Sequence, residues 1–455
     1  MTHLQYTPPP PKKYHIRIHP MKDQKQLTQD LLQFLNDSPV NFLAVDQLRR
    51  RAEAAGFAYV DAAAPLPPLQ PGTCLMVGKN NSSLYLVRIG RKPMAEAGFR
   101  LVCAHADSPC FRIKPNAEMP GEHGLLRLNT EVYGGPILST WFDRPLSLAG
   151  RVMLRREGNP LHPETRLLHI RRPLMVIPNL AIHFNRQVND GVKLNRQKDM
   201  LPVVGYLTEN LPNGGEILRL IAEELQVEQE RIIDFDLYLY DTTPATLCGL
   251  NGEFVLSGRL DDLSMCIAGA QALFDSEVAD ETQVCAIFDN EETGSGTKQG
   301  AASPFLSWFL ERLVLRTGGT ADDFYRAVER SFMVSADNAH AYHPNHGEKA
   351  DPTNHPQIGE GPVIKFNAAQ KYASDADSAA VFAEICRIAG VPCQKFVNHS
   401  EIAGGSTLGN ILTASLPLRG VDIGNPIWAM HSACETGAVA DHCYVYRAFK
   451  TFYEV

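Results

Sequence analysis

Five short segments of the sequence place imidazole or carboxylate groups beside apolar runs. They are His105-Ala-Asp107, Asp261-Asp262, Glu291-Glu292, Ser335-Ala-Asp337 and Met430-His431-Ser432. Imidazole nitrogens and carboxylate oxygens without thiolates suit zinc, cobalt or manganese. A carboxylate outside the ligand set can take a proton from metal-bound water. The residue types therefore predict a metal site with a general base beside it.

Three of these acidic or imidazole side chains come after apolar runs that predict β-strands. His105, Glu291 and Asp337 each follow such a run directly or within a short turn. In an open α/β sheet, ligands bind outside the carboxyl ends of the strands. We therefore expect the three side chains to meet on one rim of the sheet. Asp107, two residues after His105, could accept the second ring N–H of a metal-binding histidine.

The charge of the predicted ligands favours two metal ions over one. Asp261, Glu292 and Asp337 supply three negative charges, whereas His105 and His431 are neutral ligands. One divalent ion would leave this set anionic, and two ions with a bridging hydroxide bring it close to neutrality. A carboxylate can bridge two metals that lie about 3.5–4 Å apart. The sequence therefore predicts two divalent ions, and the ligand types fit zinc, cobalt and manganese alike.

Each segment also has a simpler explanation when it is taken alone. His105-Ala-Asp107 could be a turn beside a strand, Asp261 could cap a helix, and Glu291-Glu292 could be a solvated acidic turn. His340, in the loop after Asp337, could support a ligand or be an ordinary loop histidine. The common position after strands and the charge balance make the metal interpretation the better one for the set.

The elements that must position these residues change in character along the chain. Strand and helix patterns alternate in residues 1–110 and 251–455, which indicates an α/β fold with a mixed, largely parallel sheet flanked by helices. Residues 111–250 contain short β-leaning runs separated by Gly/Pro turns, which predicts an inserted β-rich domain. Residues 1–25 include four consecutive prolines and predict a flexible arm.

Composition excludes several classes of protein. The formal net charge is −8, from 43 basic and 51 acidic residues, and no dense basic stripe predicts nucleic-acid binding. No apolar run approaches the ~18 residues that a membrane helix needs. Ten cysteines are scattered without a CxxC pair, which is typical of a reducing compartment. With no secretory signal pattern at the N-terminus, we predict a cytoplasmic protein.

The chain resembles the aspartyl aminopeptidase family, within the group of co-catalytic di-metal aminopeptidases, over nearly its whole length. The matching segments are Cys103-Ala-His-Ala-Asp-Ser-Pro-Cys110, Ser257-Gly-Arg-Leu-Asp261, Asp289-Asn-Glu-Glu-Thr-Gly-Ser295, Ser335-Ala-Asp-Asn-Ala-His340, Gln370-Lys-Tyr-Ala373 and Ala429-Met-His-Ser432. The length and order of these matches make the resemblance specific. It implies the removal of N-terminal residues, acidic ones (Asp or Glu) in the first place, from peptides.

The resemblance also implies a role for each candidate residue. By this resemblance, two divalent metals, zinc in the first place, would be bound by five ligands: His105 and Asp337 on one ion, Glu292 and His431 on the other, and Asp261 between them. Glu291 is the general base for a metal-bridging hydroxide, and Asp107 supports the catalytic group.

Other residues match segments that bind substrate or connect subunits in similar proteins. His183 matches a histidine that reaches the neighbouring active site and stabilises the tetrahedral intermediate, although a metal-ligand role is the alternative. Lys365 matches a lysine able to pair with an acidic substrate side chain. Tyr372 and Gly405 are further substrate-binding candidates. Similar proteins form dodecamers built from dimers, so we expect a homo-oligomer in which residues 111–250 form the dimerisation domain.

Some alternatives stay open at this point. Relatives that prefer neutral N-terminal residues share much of the Lys365 segment. A related di-metal amidohydrolase, such as a carboxypeptidase or deacylase, and a non-catalytic scaffold with the same fold are the rivals. Asp262 stands where relatives often carry Asn, which predicts an additional charge near the bridging aspartate.

Overall fold

The computed structural model describes residues 23–206 and 215–455. Most of the predicted N-terminal arm, residues 1–25, lies outside the described residues. The helices of the described chain are Gln24–Asp37, Asn41–Ala54, Met94–Ala97, Glu216–Leu225, Leu260–Phe274, Phe305–Arg316, Ala321–Glu329, Ala376–Ala389, Leu408–Ser415 and Val439–Glu454. Among the residues the structure describes, none of these helices combines the length and apolarity needed to cross a membrane.

A nine-stranded mixed sheet forms the centre of the molecule. Its strands, in spatial order, are Ala58–Tyr59, Cys74–Lys79, Ser83–Arg88, Thr282–Phe288, Phe99–His105, Phe332–Ala336, Arg419–Gly424, Val363–Phe366 and Gln394–Val397. Its middle strands, Thr282–Phe288 through Arg419–Gly424, pair in parallel. The antiparallel pairings lie towards the two sides of the sheet. The predicted α/β class with a largely parallel sheet is confirmed.

Helices cover both faces of this sheet because its central strands are apolar on both sides. Every residue of Thr282–Phe288 is buried. In strand Phe99–His105 the side chains alternate: Val102 packs with helix Leu260–Phe274 on one face. Leu101 packs with helix Phe305–Arg316 on the other face. This two-residue period fixes the register of the strand, and with it the direction of the side chain at its end.

The second sheet has six antiparallel strands. In spatial order they are Glu164–His169, Leu146–Leu154, Ile232–Asp241, Cys110–Pro120, Leu125–Tyr133 and Val203–Tyr206. Helix Glu216–Leu225 packs on it through Ile217 and Ile221. Five of these strands lie within residues 111–250, the range predicted for the insertion, and Cys110–Pro120 begins one residue before it. Cys110–Pro120 is the first of them along the chain and begins five residues after His105, so this sheet starts next to the predicted metal site.

Shorter strands complete the region around the carboxyl edge of the central sheet. Thr246–Cys248, Phe254–Ser257 and Glu435–Ala438 form a three-stranded sheet, and Ala339–His340 pairs with Pro426–Ile427. The first of these small sheets leads the chain into helix Leu260–Phe274, which carries the predicted bridging aspartate at its start. Two strands of this small sheet, Phe254–Ser257 and Glu435–Ala438, lie next in the chain to Asp261 and His431, which are also predicted ligands.

The candidate metal centre and active site

The carboxyl ends of three parallel strands bring the first site residues together. Strand Phe99–His105 ends at His105, which lies beside Phe288 in the neighbouring strand. Glu291 follows that neighbouring strand in a short helical turn. Asp337 follows the strand on the other side. The rim predicted from the sequence is therefore present in the structure.

Two triads of potential ligands share one aspartate. His105, Asp261 and Asp337 form one group, and Asp261, Glu292 and His431 form the other; in each, the ligand atoms lie within 4.8 Å of one another. All five residues that the sequence predicted as metal ligands are members. A third overlapping group joins His105 with Glu292 and Glu291, so the predicted base lies against both triads.

The two oxygens of Asp261 face different histidines. Oδ1 lies 3.8 Å from Nε2 of His105, and Oδ2 lies 3.5 Å from Nε2 of His431. The same nitrogen of His431 is 3.2 Å from Oε1 of Glu292. Ligands at tetrahedral angles with bonds of about 2.0 Å are roughly 3.3 Å apart. These separations therefore match those between atoms that coordinate a common ion.

Two buried oxygens in this cluster have no hydrogen-bond partner among the described residues. They are Oδ1 of Asp261 and Oε1 of Glu292. A buried carboxylate oxygen without a donor is costly, because it has lost its hydration and gained nothing in return. Coordination of a cation removes that cost. The ligand types, the distances between their atoms and these unsatisfied oxygens all fit a divalent metal ion.

The electrostatics of the cluster show the same demand for positive charge. Burial opposes protonation of His431, yet the nearby carboxylates of Asp261 and Glu292 raise its pKa to about 11. The pKa of His105 is likewise well above its ordinary value, since nearby carboxylates outweigh the effect of burial. Burial, assisted by the charge of Asp261, raises the pKa of Glu292 to about 7. Protons are held here by the same negative charge that would attract a metal ion.

Glu291 combines a position at the cluster with a raised basicity. Its side chain lines the cavity that also contains the ligands. Burial, together with the negative charges of Asp337 and Glu292, raises the pKa of Glu291 to about 8 despite the opposing influence of His105. A carboxylate with a pKa near neutrality can both accept and return a proton. This is the behaviour expected of the predicted general base.

Asp107 supports the site in a different way from the one the sequence suggested. Nδ1 of His105 lies 3.0 Å from the backbone oxygen of Asp107 and 3.5 Å from its carboxylate Oδ1. The expected carboxylate–histidine contact is therefore replaced by a carbonyl, which can fix the tautomer equally well. The carboxylate instead accepts the backbone N–H groups of Glu291, at 3.1 Å, and Glu292, at 3.2 Å. Asp107 thus holds the turn that carries the base.

A second buried carboxylate, which sequence reasoning missed, holds two of the ligands. Glu435 accepts the backbone N–H of Asp261 at 3.1 Å through one oxygen and that of His431 at 2.7 Å through the other. Burial raises the pKa of Glu435 to about 8. Nothing in its local sequence marks this role, because the contact to Asp261 joins residues far apart in the chain.

Asp262, which stands where relatives often carry Asn, makes its hydrogen bonds beside the predicted bridging aspartate. It is fully buried beside the bridging residue. Its Oδ2 accepts the backbone N–H of His105 at 3.2 Å, and Asn338 Nδ2 lies 3.4 Å from Oδ1. Burial raises the pKa of Asp262 well above its usual value. Asp262 therefore supports the backbone of His105 next to the bridging aspartate.

The cluster opens into a cavity of about 250 Å³. Lys365, Tyr372 and Gly405, the predicted substrate-binding residues, all line it. His340 lines it too, so this histidine is part of the cavity wall rather than an ordinary loop residue. Nζ of Lys365 donates to Oδ1 of Asp337 at 3.0 Å. The lysine therefore connects the cavity wall to a metal ligand.

Asp422 ties the wall of this cavity to the central sheet. This buried carboxylate accepts hydrogen bonds from Ser335 Oγ at 2.5 Å and Thr407 Oγ1 at 2.6 Å. Its other oxygen accepts the backbone N–H of Ala373 at 2.5 Å. The loops that contain Ala373 and Thr407 are thus fixed to strand Arg419–Gly424. Tyr372 is held in place because it directly precedes Ala373.

His183 is not brought to this site within the chain. It lies in an exposed helical turn, Ile182–Phe184, of the inserted region. It belongs to none of the three ligand groups and does not line the cavity around them. The three groups of potential ligands in this chain are formed without it.

Glu291, with its raised pKa, lies beside two groups of potential metal ligands that share Asp261. This arrangement is suited to the metal-assisted hydrolysis of amide bonds. Fold and site together define a metallohydrolase. A family model described as "Aminopeptidase I zinc metalloprotease (M18)" matches residues 34–453. The chain belongs to the M18 family of zinc metallo-aminopeptidases, and the resemblance seen in the sequence motifs is confirmed. It is an enzyme of the hydrolase class.

Individual relatives agree with this assignment. The chain is 50% identical over 435 residues to the "Probable M18 family aminopeptidase 2" of Clostridium acetobutylicum, covering 96% of this chain and 100% of that protein. It is 42% identical over 433 residues to the protein of the same name in a Pseudomonas aeruginosa strain, covering 94% of this chain and 98% of the relative.

Solved structures show the same fold. A cryo-EM structure of the Ape4 and Nbr1 complex contains a chain with a TM-score of 0.91 and 35% identity, covering 94% of this chain and 86% of that one. An M18 aminopeptidase from Thermotoga maritima gives a TM-score of 0.82 at 20% identity, covering 95% and 96%. The second likeness extends to the fold alone.

Proposed function

We propose that the protein is a di-metal aminopeptidase that removes acidic N-terminal residues from peptides, with a pair of zinc ions as its cofactor. The observation that carries the proposal is the position of Asp261. Its two oxygens face His105 and His431, each of which belongs to a separate triad. A carboxylate placed in this way can bridge two ions, and one ion would leave the surrounding acids uncompensated.

The residues around the ions would divide the reaction between them. Bound divalent metals polarise the scissile carbonyl and lower the pKa of water. Glu291 takes the proton from the attacking water and gives it to the leaving amine. Its raised pKa suits both transfers. Asp107 keeps Glu291 in place by accepting the backbone N–H of that residue.

The acidic preference rests on the cavity wall. Lys365 is a buried cation whose ammonium carries three N–H donors, and one of them is used by Asp337. The remaining donors can pair with a substrate carboxylate. Tyr372, whose ring centre lies 5.7 Å from Nζ of Lys365, and Gly405 border the same space. We assign these three residues to the pocket for the N-terminal side chain.

We further propose a homo-oligomer, a dodecamer built from dimers, located in the cytoplasm. Among the related folds is a structure entitled as the dodecamer of S. cerevisiae mApe1. In this chain, Leu180, Ile182 and Phe184 expose 57%, 52% and 81% of their surface around His183. Exposed apolar residues of this kind are typical of a subunit interface. Residues 111–250 would form the dimerisation domain and present His183 to the oxyanion of the neighbouring site. The scattered cysteines are all free, which supports a reducing compartment.

The central assignment is tested by Glu291→Gln. We expect turnover of peptide substrates to fall by at least about 1,000-fold, because general acid–base catalysis contributes roughly 10²–10⁴. Zinc content, measured by atomic emission, should stay at the wild-type value. Glu348→Gln changes an exposed glutamate outside the cavity and is the matched control. A Glu291→Gln enzyme with wild-type turnover, or an N-acetylated peptide cleaved as fast as the free amine, would refute the proposal.

A further inference from the structure

The inserted sheet contacts the metal centre of its own chain. Strand Leu125–Tyr133 leads into a segment, residues 133–140, that runs along His431. Nδ1 of His431 lies 3.2 Å from the backbone oxygen of Gly135, and the backbone oxygen of His431 accepts the N–H of Ile137 at 2.9 Å. The insertion therefore helps to orient a metal ligand in addition to presenting an oligomer surface.

The same segment passes close to Glu292. Gly134 has a φ of +67°, and a Cβ added there would lie 3.1 Å from Cβ of Glu292. Glycine is needed here for both reasons: the left-handed conformation and the close approach of the backbone. The residue just before it, Tyr133, makes the contact that matters most for the base.

The hydroxyl of Tyr133 joins the insertion to the turn that carries Glu291. It donates to Oδ2 of Asp107 at 2.7 Å and accepts from Nδ2 of Asn290 at 2.8 Å. Asp107 in turn accepts the backbone N–H groups of Glu291 and Glu292. One oxygen atom thus links the insertion to the supporting carboxylate and to the residue that begins the turn.

Asp107 depends on this hydroxyl for a strong hydrogen bond. Only 2% of Asp107 is exposed, so its oxygens need donors from the protein. The bond from Tyr133, at 2.7 Å, is shorter than the bonds from Glu291 and Glu292, at 3.1 and 3.2 Å. Without this hydroxyl, Oδ2 of Asp107 would keep only the longer hydrogen bond from Glu292, and Nδ2 of Asn290 would lose its acceptor. The carboxylate of Asp107 and the turn that carries Glu291 would then be free to shift.

We propose that Tyr133 is a positioning residue for Glu291 and Glu292, acting through Asp107. The inserted sheet thereby sets the geometry of catalysis within its own subunit. This inference rests on the proposed function, in which Glu291 is the base. It concerns a contact inside one chain, and so it is separate from the role of His183 in a neighbouring subunit.

The test is Tyr133→Phe in the full-length zinc-loaded enzyme. We expect kcat to fall about 10- to 100-fold, because a misplaced base slows proton transfer, while KM changes less than about 3-fold and bound zinc is unchanged. The matched control is Tyr238→Phe, which removes a hydroxyl from the ring that packs edge-on against Tyr133 at 5.7 Å. We expect kcat of the control to stay within about 2-fold of wild type.

A double-mutant cycle tests whether Tyr133 acts through Asp107. In an Asp107→Asn background, Tyr133→Phe should lower kcat by less than about 3-fold, because the path has already been broken. Losses that multiply, or a wild-type kcat for Tyr133→Phe, would overturn the inference. Should Tyr133→Phe fail to fold, Asp107→Asn alone replaces it. That variant alters the acceptor through which the hydroxyl of Tyr133 acts on the turn; an unchanged kcat would again overturn the inference.

The result can be separated from the fate of the proposed function. If Glu291→Gln is inactive and Tyr133→Phe has a wild-type kcat, only the inference about Tyr133 fails. If Glu291→Gln is fully active, the proposed function fails whatever Tyr133→Phe does.

Discussion

Lys365 offers the sharpest test of what the cavity recognises. Only 3% of this residue is exposed, and its ammonium lies 3.0 Å from Asp337. Burial alone would lower the pKa of Lys365, but the charge of Asp337 raises it, so the cation persists. The substitution Lys365→Met keeps most of the apolar stem and removes the charge.

The two roles open to Lys365 predict different losses. A hydrogen bond between the ammonium and a substrate carboxylate contributes about 1.5–3 kcal/mol, which corresponds to roughly 10- to 150-fold in kcat/KM. Attraction to Asp337 across 3.0 Å amounts to about 5 kcal/mol at an effective dielectric constant of about 20. That second contribution concerns a metal ligand, so its loss would affect every substrate and the zinc content alike.

We expect the substrate role to dominate, because metal bound to Asp337 supplies positive charge in place of the lysine. Lys365→Met should therefore lower kcat/KM about 10- to 150-fold for Asp- and Glu-aminoacyl substrates, and no more than about 3-fold for the Leu-aminoacyl substrate. Zinc content should be unchanged. Lys395→Met, on the neighbouring strand with an exposed side chain, is the control. An equal decrease in kcat/KM on all three substrates would refute the assignment of Lys365 to a pocket for acidic side chains. A wild-type enzyme that prefers the Leu-aminoacyl substrate would refute it too.

Two further predictions concern parts of the fold away from the base. Burial lowers the pKa of His442 to about 4. Above about pH 6.5 this histidine is neutral in the folded and the unfolded chain, and the folded enzyme keeps its full stability. As the pH falls towards 4, protonation of the unfolded chain lowers the free energy of unfolding by an amount of the order of 3 kcal/mol. Thermal melts of His442→Gln should show a smaller decrease in Tm between pH 7 and 5 than wild type, and an equal decrease would exclude His442 as the source. At Gly424, an added Cβ would lie 2.1 Å from the backbone oxygen of Asp337. Gly424→Ala should shift this ligand and weaken zinc binding by about 1–3 kcal/mol in a competition titration; unaltered affinity would contradict the reasoning.

The candidate metal ligands could be predicted from the sequence because they stand at places that a pattern can reveal. His105 ends one buried strand and Asp337 follows another, and the parallel arrangement brings the ends of such strands together. The family motifs indicate Glu292 and Asp261 as further ligands. The class of fold could be predicted on the same basis, from alternating strand and helix patterns.

The supporting contacts could not be predicted because they join distant segments of unremarkable sequence. Glu435 and Tyr133 reach the cluster from strands whose local patterns indicate only β-structure. Asp107 was recognised, but the choice between its carbonyl and its carboxylate as the partner of His105 depends on the exact path of the chain after the strand. Such choices are decided by tertiary packing and leave no periodic signal.

The order of strands in the central sheet has a consequence for the biogenesis of the enzyme. Strand Thr282–Phe288 lies between Ser83–Arg88 and Phe99–His105, so segments made early in synthesis stay apart until a much later one is inserted. Contacts of such high sequence separation make folding slow. His431 emerges later still, after all the strands of this sheet. A chain that ends before residue 431 therefore lacks one member of the second triad, and we expect no peptidase activity from it.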